Sequence, residues 1–371
     1  MPPGNPMRLG VRAALAEGTV VEGDVEIEGE RIARLGVRPP GPAGIAVPGF
    51  VDIHVNGFAG VDFVAADPEA YRRAAKALAA TGVTAFLPTF VSSPLDAYGE
   101  AIATVAGLEG RLAPRALGVH LEGPFLSPGW AGAHDPAHLR DPEPRLARRL
   151  CAGPVRMMTL APELPGALEA IEALTGHGVV VSCGHSDADA AAAHAAFDRG
   201  AAAVTHVHNA HRGWRPRDPG LGGVALARPD VTVQAIVDHV HLAPETAYAT
   251  FLAARGRFCL VTDAIEATGL GPGDYRLGEV AVRVAHGAAR LADGTLAGSL
   301  VAMDQAVRNL LGMGASLADA VEAAAAVPAR LVGRPDLGVL REGGTADVAV
   351  LDDDLRVART VVDGIEAFAR G

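Results

Sequence analysis

Lysine is almost missing from this chain: Lys76 is the only one in 371 residues, and arginine supplies nearly all the positive charge. Cysteine is scarce too. Cys151, Cys183 and Cys259 stand apart with no CxxC spacing, which excludes a disulfide framework and reads as a reduced, cytoplasmic protein. Aromatics are 4%, so alanine and glycine must fill the interior and let elements pack closely. No apolar run approaches the roughly 20 residues that span a bilayer. The opening MPPGNPMRLGVRAALAEG lacks the basic-then-apolar order of a secretory leader. A formal charge of -11 argues against general affinity for nucleic acid or an anionic membrane, although a few local arginines and histidines can still meet a small anion.

What is present is a repeated pattern. On a soft prior of about 100–200 residues per domain, the length fits two domains or one large barrel with an appendage. From Val47 onward eight short apolar runs, VPGFVDIHVNG through FCLVTDAIE, alternate with alanine-rich stretches of helical spacing such as PEAYRRAAKALAATG. Eight such units predict an α/β fold with a closed (β/α)8 TIM-like barrel over 47–334. Residues 1–46 and 335–371 read instead as alternating strands, GTVVEGDVEIEGERIARLG giving two of them. The two ends are expected to pair into one small β-sandwich domain beside the barrel.

Polar residues punctuate the runs at one phase. His54, Glu122, His185, His206, Asp238 with His241, and Asp263 each stand where an apolar run ends. In a βα barrel those ends ring a single mouth, where catalytic groups collect. Any one alone would be an ordinary loop residue in contact with water. Together, Glu122, His185 and His206 offer one carboxylate and two imidazoles, a set suited to zinc with an open position for water. Such an ion brings the pKa of bound water to roughly neutral. His54 is a further candidate ligand. Asp263 is placed to take a proton from that water and pass it to a leaving amine, although aspartate also suits a helix N-cap.

At these residues the chain resembles the N-acetylglucosamine-6-phosphate deacetylases of the amidohydrolase superfamily. The resemblance runs from PGFVDIHVNG at 48–57 to TADVAVLDDD at 345–354. It is carried by HLEGPFL, GAHDP, VSCGHSDA, THVHNA, RDPGLGG, DHVHL, LVTDAIEATG and LAGS. It implies that Glu122, His185 and His206 bind the metal and that Asp263 is the general acid/base. By the same implication, His134 helps polarise the acetyl carbonyl and Ala133 offers a main-chain contact. Asn209 and Ala210 would hold the phosphate end, with Arg217 and His241 as its charged partners, and Leu296, Ala297 and Gly298 would line the pocket around the sugar. The family's arginine reaches across from the neighbouring subunit, which implies a homodimer with Arg217 serving the neighbour's site. The implied ligands are an amino sugar phosphate and one divalent ion per subunit, zinc first with iron or manganese as alternatives.

The chain departs from the family's pattern at several places. The first strand reads His54-Val55-Asn56 where two-metal members carry HxH, which leaves a second ion open. His239 stands where many relatives have glycine and is expected to crowd the pocket. His208, His211 and His120 read as structural, and Cys183 as a buried, inert thiol. Rival readings remain. Cyclic-amide hydrolases that bridge two metals with a carboxylated lysine are closed off, since Lys76 lies in a helix-like stretch. A nucleobase deaminase would not need Asn209, Arg217 and His241. A non-catalytic sugar-phosphate sensor would be marked by loss of Asp263 or a ligand, and none is lost. The galactosamine epimer stays open as substrate.

Overall fold

The computed structural model describes residues 6–108 and 110–371; the leader expectation rests partly on residues 1–5, outside the described set. Eight parallel strands follow one another around a barrel: β1 Phe50–Val55, β2 Val83–Phe90, β3 Val119–Glu122, β4 Val155–Leu160, β5 Val180–Cys183, β6 Ala203–Val204, β7 Thr232–Ala235 and β8 Phe258–Leu260. Each pairs with its sequence neighbour from β1–β2 to β7–β8. The ring closes just past β8. There the Asp263 N–H donates to the His54 carbonyl at 2.8 Å, the Asn56 N–H donates to the Ala264 carbonyl at 2.8 Å, and Val55 bridges Ala264 in parallel.

All residues of β1 and β2 are buried, as expected where helices cover the outside and side chains fill the inside. The helices follow local chemistry. Between β1 and β2, α1 (Pro68–Ala79) starts with Pro68 in its first turn, and the Asp67 carboxylate accepts from the Ala70 N–H. Its buried face is Tyr71, Ala74, Ala75, Leu78 and Ala79, the i, i+3, i+4, i+7 stripe of an amphipathic helix. Later helices at 95–107, 144–150, 167–175, 190–198, 220–227, 244–253 and 303–312 complete the eight βα units. No helix among the described residues is long and apolar enough to cross a membrane.

The two chain ends meet. Val348–Leu351 pairs antiparallel with Ala43–Pro48 inside a six-stranded sheet. A second sheet contains Met7–Arg8, Asp24–Glu28 and Arg31–Val37. Val11, Val25, Ile27, Ile32, Val348 and Val361 belong to one apolar cluster drawn from both sheets. The N-terminal segment read as two strands holds three, Thr19–Glu22 being separate, and Ala43–Pro48 runs across the expected boundary at 46/47. A further antiparallel sheet, Gly273–Leu277, Val280–Ala285 and Ala288–Arg290, lies between β8 and the helix at 303–312. It packs on Val91, Ala133 and Ile265 at the barrel mouth.

Candidate active site

Glu122 ends β3, His54 lies within β1, and His185, His206 and Asp263 follow β5, β6 and β8 by two or three residues. The last three have φ of 51°, 28° and 50°. A non-glycine residue in that region costs on the order of 1–3 kcal/mol, and such strain concentrates at functional sites. Each of these loops turns sharply so that its side chain enters the mouth.

The three predicted ligands converge. His185 Nε2 and His206 Nε2 are 3.0 Å apart, and each is 3.1 Å from Glu122 Oε1. His185 Nδ1 lies 2.9 Å from the Trp130 carbonyl. A carbonyl can only accept, so Nδ1 carries the proton and Nε2 presents a lone pair, the tautomer that ligates metals. His54 Nε2 is fully buried, 3.2 Å from both Glu122 Oε2 and Asp263 Oδ1, yet makes no hydrogen bond of acceptable geometry. Glu122 with His185 and His206 forms one group that fits a divalent cation, and Glu122 also joins His54 and Asp263 in a second, adjoining group.

Electrostatics at the site are dominated by burial and mutual charge. Burial raises the Glu122 carboxyl, but the His54 charge and contacts from His134, His185 and His206 outweigh it and hold it well below the usual range. Asp263 is lowered in the same way: burial opposes, and the charge of His54 prevails. Burial lowers His54, but Glu122 and Asp263 hold it well above its usual range. Burial lowers His206. The Asp263 carboxylate faces the cavity, and Asn56 Nδ2 donates to its Oδ1 at 2.6 Å. It is not the N-cap of a helix.

His134 has a defined role in hydrogen bonding. Its Nδ1 accepts the Ser92 N–H at 3.0 Å, so the neutral ring carries its proton on Nε2, which lies 3.5 Å from Glu122 Oε2. That proton is a donor beside the ligand cluster. Glu122, His134, His185, His206 and Asp263 line one cavity of about 240 Å³, together with Ala133, Asn209, Ala210, His241, Leu296 and Gly298. His241 Nδ1 is 2.7 Å from Asp238 Oδ2, which fixes the proton there and leaves Nε2 as the free nitrogen.

The model of the amidohydrolase family matches residues 45–366. The chain belongs to the amidohydrolase family. Human N-acetylglucosamine-6-phosphate deacetylase is 40% identical to it over 339 residues, covering 86% of this chain and 82% of that protein. An N-acetylgalactosamine-6-phosphate deacetylase from Escherichia coli O157:H7 is 36% identical over 329 residues, 87% of each. In solved form, an Asp-to-Ala variant of the Mycobacterium smegmatis N-acetylglucosamine-6-phosphate deacetylase, in complex with N-acetylglucosamine 6-phosphate, superposes with a TM-score of 0.93 at 35% identity. It covers 99% of this chain and 100% of that one.

In this amidohydrolase the side chains depart from the sequence expectations at Ala297 and His239. Ala297 is fully buried behind the cavity wall, not on it. His239 is exposed at φ 65° and does not crowd the pocket, because the left-handed turn after β7 points it outward. Arg217 is exposed in the loop after β6 and does not line its own chain's cavity. His208 and His211 are structural: His208 Nε2 is 3.0 Å from Thr250 Oγ1, and His211 Nε2 accepts the His208 N–H. His120 packs inside the barrel, Nε2 at 2.8 Å from Thr159 Oγ1, and burial pushes it down to about 3. Cys183 is buried, and burial raises its thiol. Sequence reasoning missed Val91, Ile236, Leu277 and Thr295 as lining residues. The alternation in GDYRLGEVAVRVA was the available signal for Leu277.

Proposed function

We propose that this chain hydrolyses the acetamide of N-acetylglucosamine 6-phosphate to glucosamine 6-phosphate and acetate, in amino sugar catabolism and cell-wall sugar recycling. The observation that carries the reading is the convergence of Glu122, His185 and His206 with the charged Asp263 and the Nε2–H of His134 in one cavity. A divalent ion held by Glu122, His185 and His206, zinc before iron or manganese, would supply Lewis acidity that brings a coordinated water near neutral pKa. Asp263 takes the proton of the attacking water and returns it to the departing amine. His134 donates through Nε2 to the acyl oxygen as negative charge grows there. Asn209, Ala210 and the His241 Nε2 receive the phosphate end. In this reading Arg217 of the partner subunit completes that end in a homodimer, a bidentate guanidinium matching phosphate geometry. Leu296 and Gly298 flank the sugar, with Ala297 supporting them from behind. The described residues of the 1–46 segment and residues 335–371 make up a small β-domain beside the barrel of 47–334, and the protein works in the cytoplasm.

The galactosamine epimer is the second reading, favoured by the relative of that name at 36% identity. Acetate release from N-acetylglucosamine 6-phosphate, N-acetylgalactosamine 6-phosphate and unphosphorylated N-acetylglucosamine separates these readings. The glucosamine ester should have the highest kcat/KM, and the sugar without phosphate the lowest. No acetate from either phosphate ester would refute both.

A further inference from the structure

Leu277 and Val280 face each other across the mouth hairpin, leaving Gly278 and Glu279 as its two-residue turn. Gly278 has φ +57°, where the first central position of such a turn favours glycine. Three carboxylates staple this tip. Asp62 Oδ2 accepts the Gly278 N–H at 2.7 Å, Glu266 Oε1 accepts the Arg276 N–H at 2.6 Å, and Glu279 Oε2 lies 2.9 Å from His138 Nε2. The third contact joins the tip to Pro136–His138, the short helical turn that begins two residues after His134. Leu277 lies between Arg276 and Gly278, whose backbone N–H groups are both held.

Leu277 is buried, lines the cavity, and shares one apolar cluster with Val91 and Ala133. A Cβ added to Gly278 would lie 3.1 Å from Val91 Cγ2, so the tip rests on Val91. Val91 directly precedes Ser92, whose N–H fixes the His134 tautomer, and Ala133 directly precedes His134. The apolar wall therefore flanks the nitrogen that faces the acyl oxygen. An N-acylhexosamine phosphate is polar over its ring and its phosphate, and only its acyl tail is apolar. Of the other branched apolar lining residues, Leu296 is proposed above to flank the sugar, and Ile236 directly follows β7.

Building on the proposed deacetylation, we propose that Leu277, backed by Val91, is the wall that limits the acyl group to acetyl. A packed and stapled wall yields little, so each added methylene meets a fixed surface. One methylene in such a pocket is worth about 10- to 200-fold in kcat/KM.

The test measures kcat/KM for the N-formyl, N-acetyl and N-propionyl derivatives of glucosamine 6-phosphate. It compares wild type with Leu277→Ala, Leu277→Val, Leu277→Phe and Ile236→Ala. Ratios between substrates are unaffected by the fraction of each variant that folds. Leu277→Ala should raise the propionyl-to-acetyl ratio at least about 10-fold, and Leu277→Val should raise it less. Leu277→Phe should move preference from acetyl to formyl by about 10-fold, and Ile236→Ala should leave both ratios alone. The inference is overturned if the Leu277 variants keep both ratios within about twofold of wild type, or if Ile236→Ala alone shifts them. A wild type that releases no acetate refutes the proposed function and this inference together. Unmoved ratios in an active wild type refute the inference only.

Discussion

Asp263 joins two roles, closing the barrel through its N–H to the His54 carbonyl and facing the cavity with a carboxylate held below its usual range. Asp263→Asn should keep the backbone closure and the metal while lowering kcat at least about 100-fold, as loss of a general acid/base does. Metal analysis of the purified variant beside its turnover checks this; a folded, loaded variant with near-normal kcat would remove Asp263 from the chemistry. Asp52 is a different case. It is fully buried, accepts from Thr262 Oγ1 at 2.6 Å, and burial lifts it from 3.8 to about 6. A raised folded pKa means the native state binds the proton more tightly. Its carboxylate thus lowers stability as pH climbs from about 4 to 6, by roughly 3 kcal/mol at 1.36 kcal/mol per unit. In chelator-stripped protein, Asp52→Asn should gain stability relative to wild type over that interval, read by denaturant unfolding at pH 4.5 and 7.5. A pH-independent difference would contradict it. At this scale the convergence of Glu122, His185 and His206 was legible because each stands at the end of an apolar run. The tautomers of His134 and His185 were not, since the Ser92 N–H and the Trp130 carbonyl that set them come from distant loops.

Among the elements, the segment around Gly298 shows how loops hold the chemistry in place. Gly298 has φ +64°, and a Cβ there would stand 2.6 Å from Ile265 Cγ2 and 2.8 Å from the Asp263 carbonyl. That carbonyl also accepts the Ser299 N–H at 2.8 Å. Gly298→Ala should push the Asp263 turn outward, reducing kcat about 10-fold or more while costing on the order of 1–3 kcal/mol of stability. Steady-state kinetics beside thermal unfolding would separate the two effects, and unchanged kcat would show that the turn absorbs the methyl. The eight βα units were readable because buried parallel strands and alanine-rich helices differ in period. The mouth hairpin was not recognised, because its alternating GDYRLGEVAVRVA falls where the barrel pattern calls for a loop. Its residues alternate between an apolar cluster and solvent, the signature of a half-buried strand.

For the whole molecule, the pairing of Val348–Leu351 with Ala43–Pro48 ties the chain ends together, and the alternation of both ends foreshadowed it. The role expected of Arg217 rests on resemblance alone, and a single chain leaves it exposed and away from its own cavity. A charge-assisted arginine–phosphate contact contributes about 1.5–3 kcal/mol. Arg217→Ala should therefore raise KM for the 6-phosphate about 10- to 100-fold and barely alter activity on the unphosphorylated sugar. If subunits pair as proposed, heterodimers of Arg217→Ala with Asp263→Asn should recover one low-KM site, because the intact Arg217 of one chain would complete the pocket that holds the intact Asp263 of the other. Verified heterodimers without that recovery would place Arg217 outside the neighbour's pocket.

The dependence of acetate release on the ion proposed for Glu122, His185 and His206 is measured most directly by titrating chelator-stripped protein with zinc, iron or manganese. Acetate release from N-acetylglucosamine 6-phosphate should rise from near zero and saturate at about one equivalent per subunit. His185→Ala should stay inactive at that stoichiometry, and His54→Ala should lose less. Full turnover by the stripped protein, or saturation only at two tightly held equivalents, would contradict a single ion at these three residues.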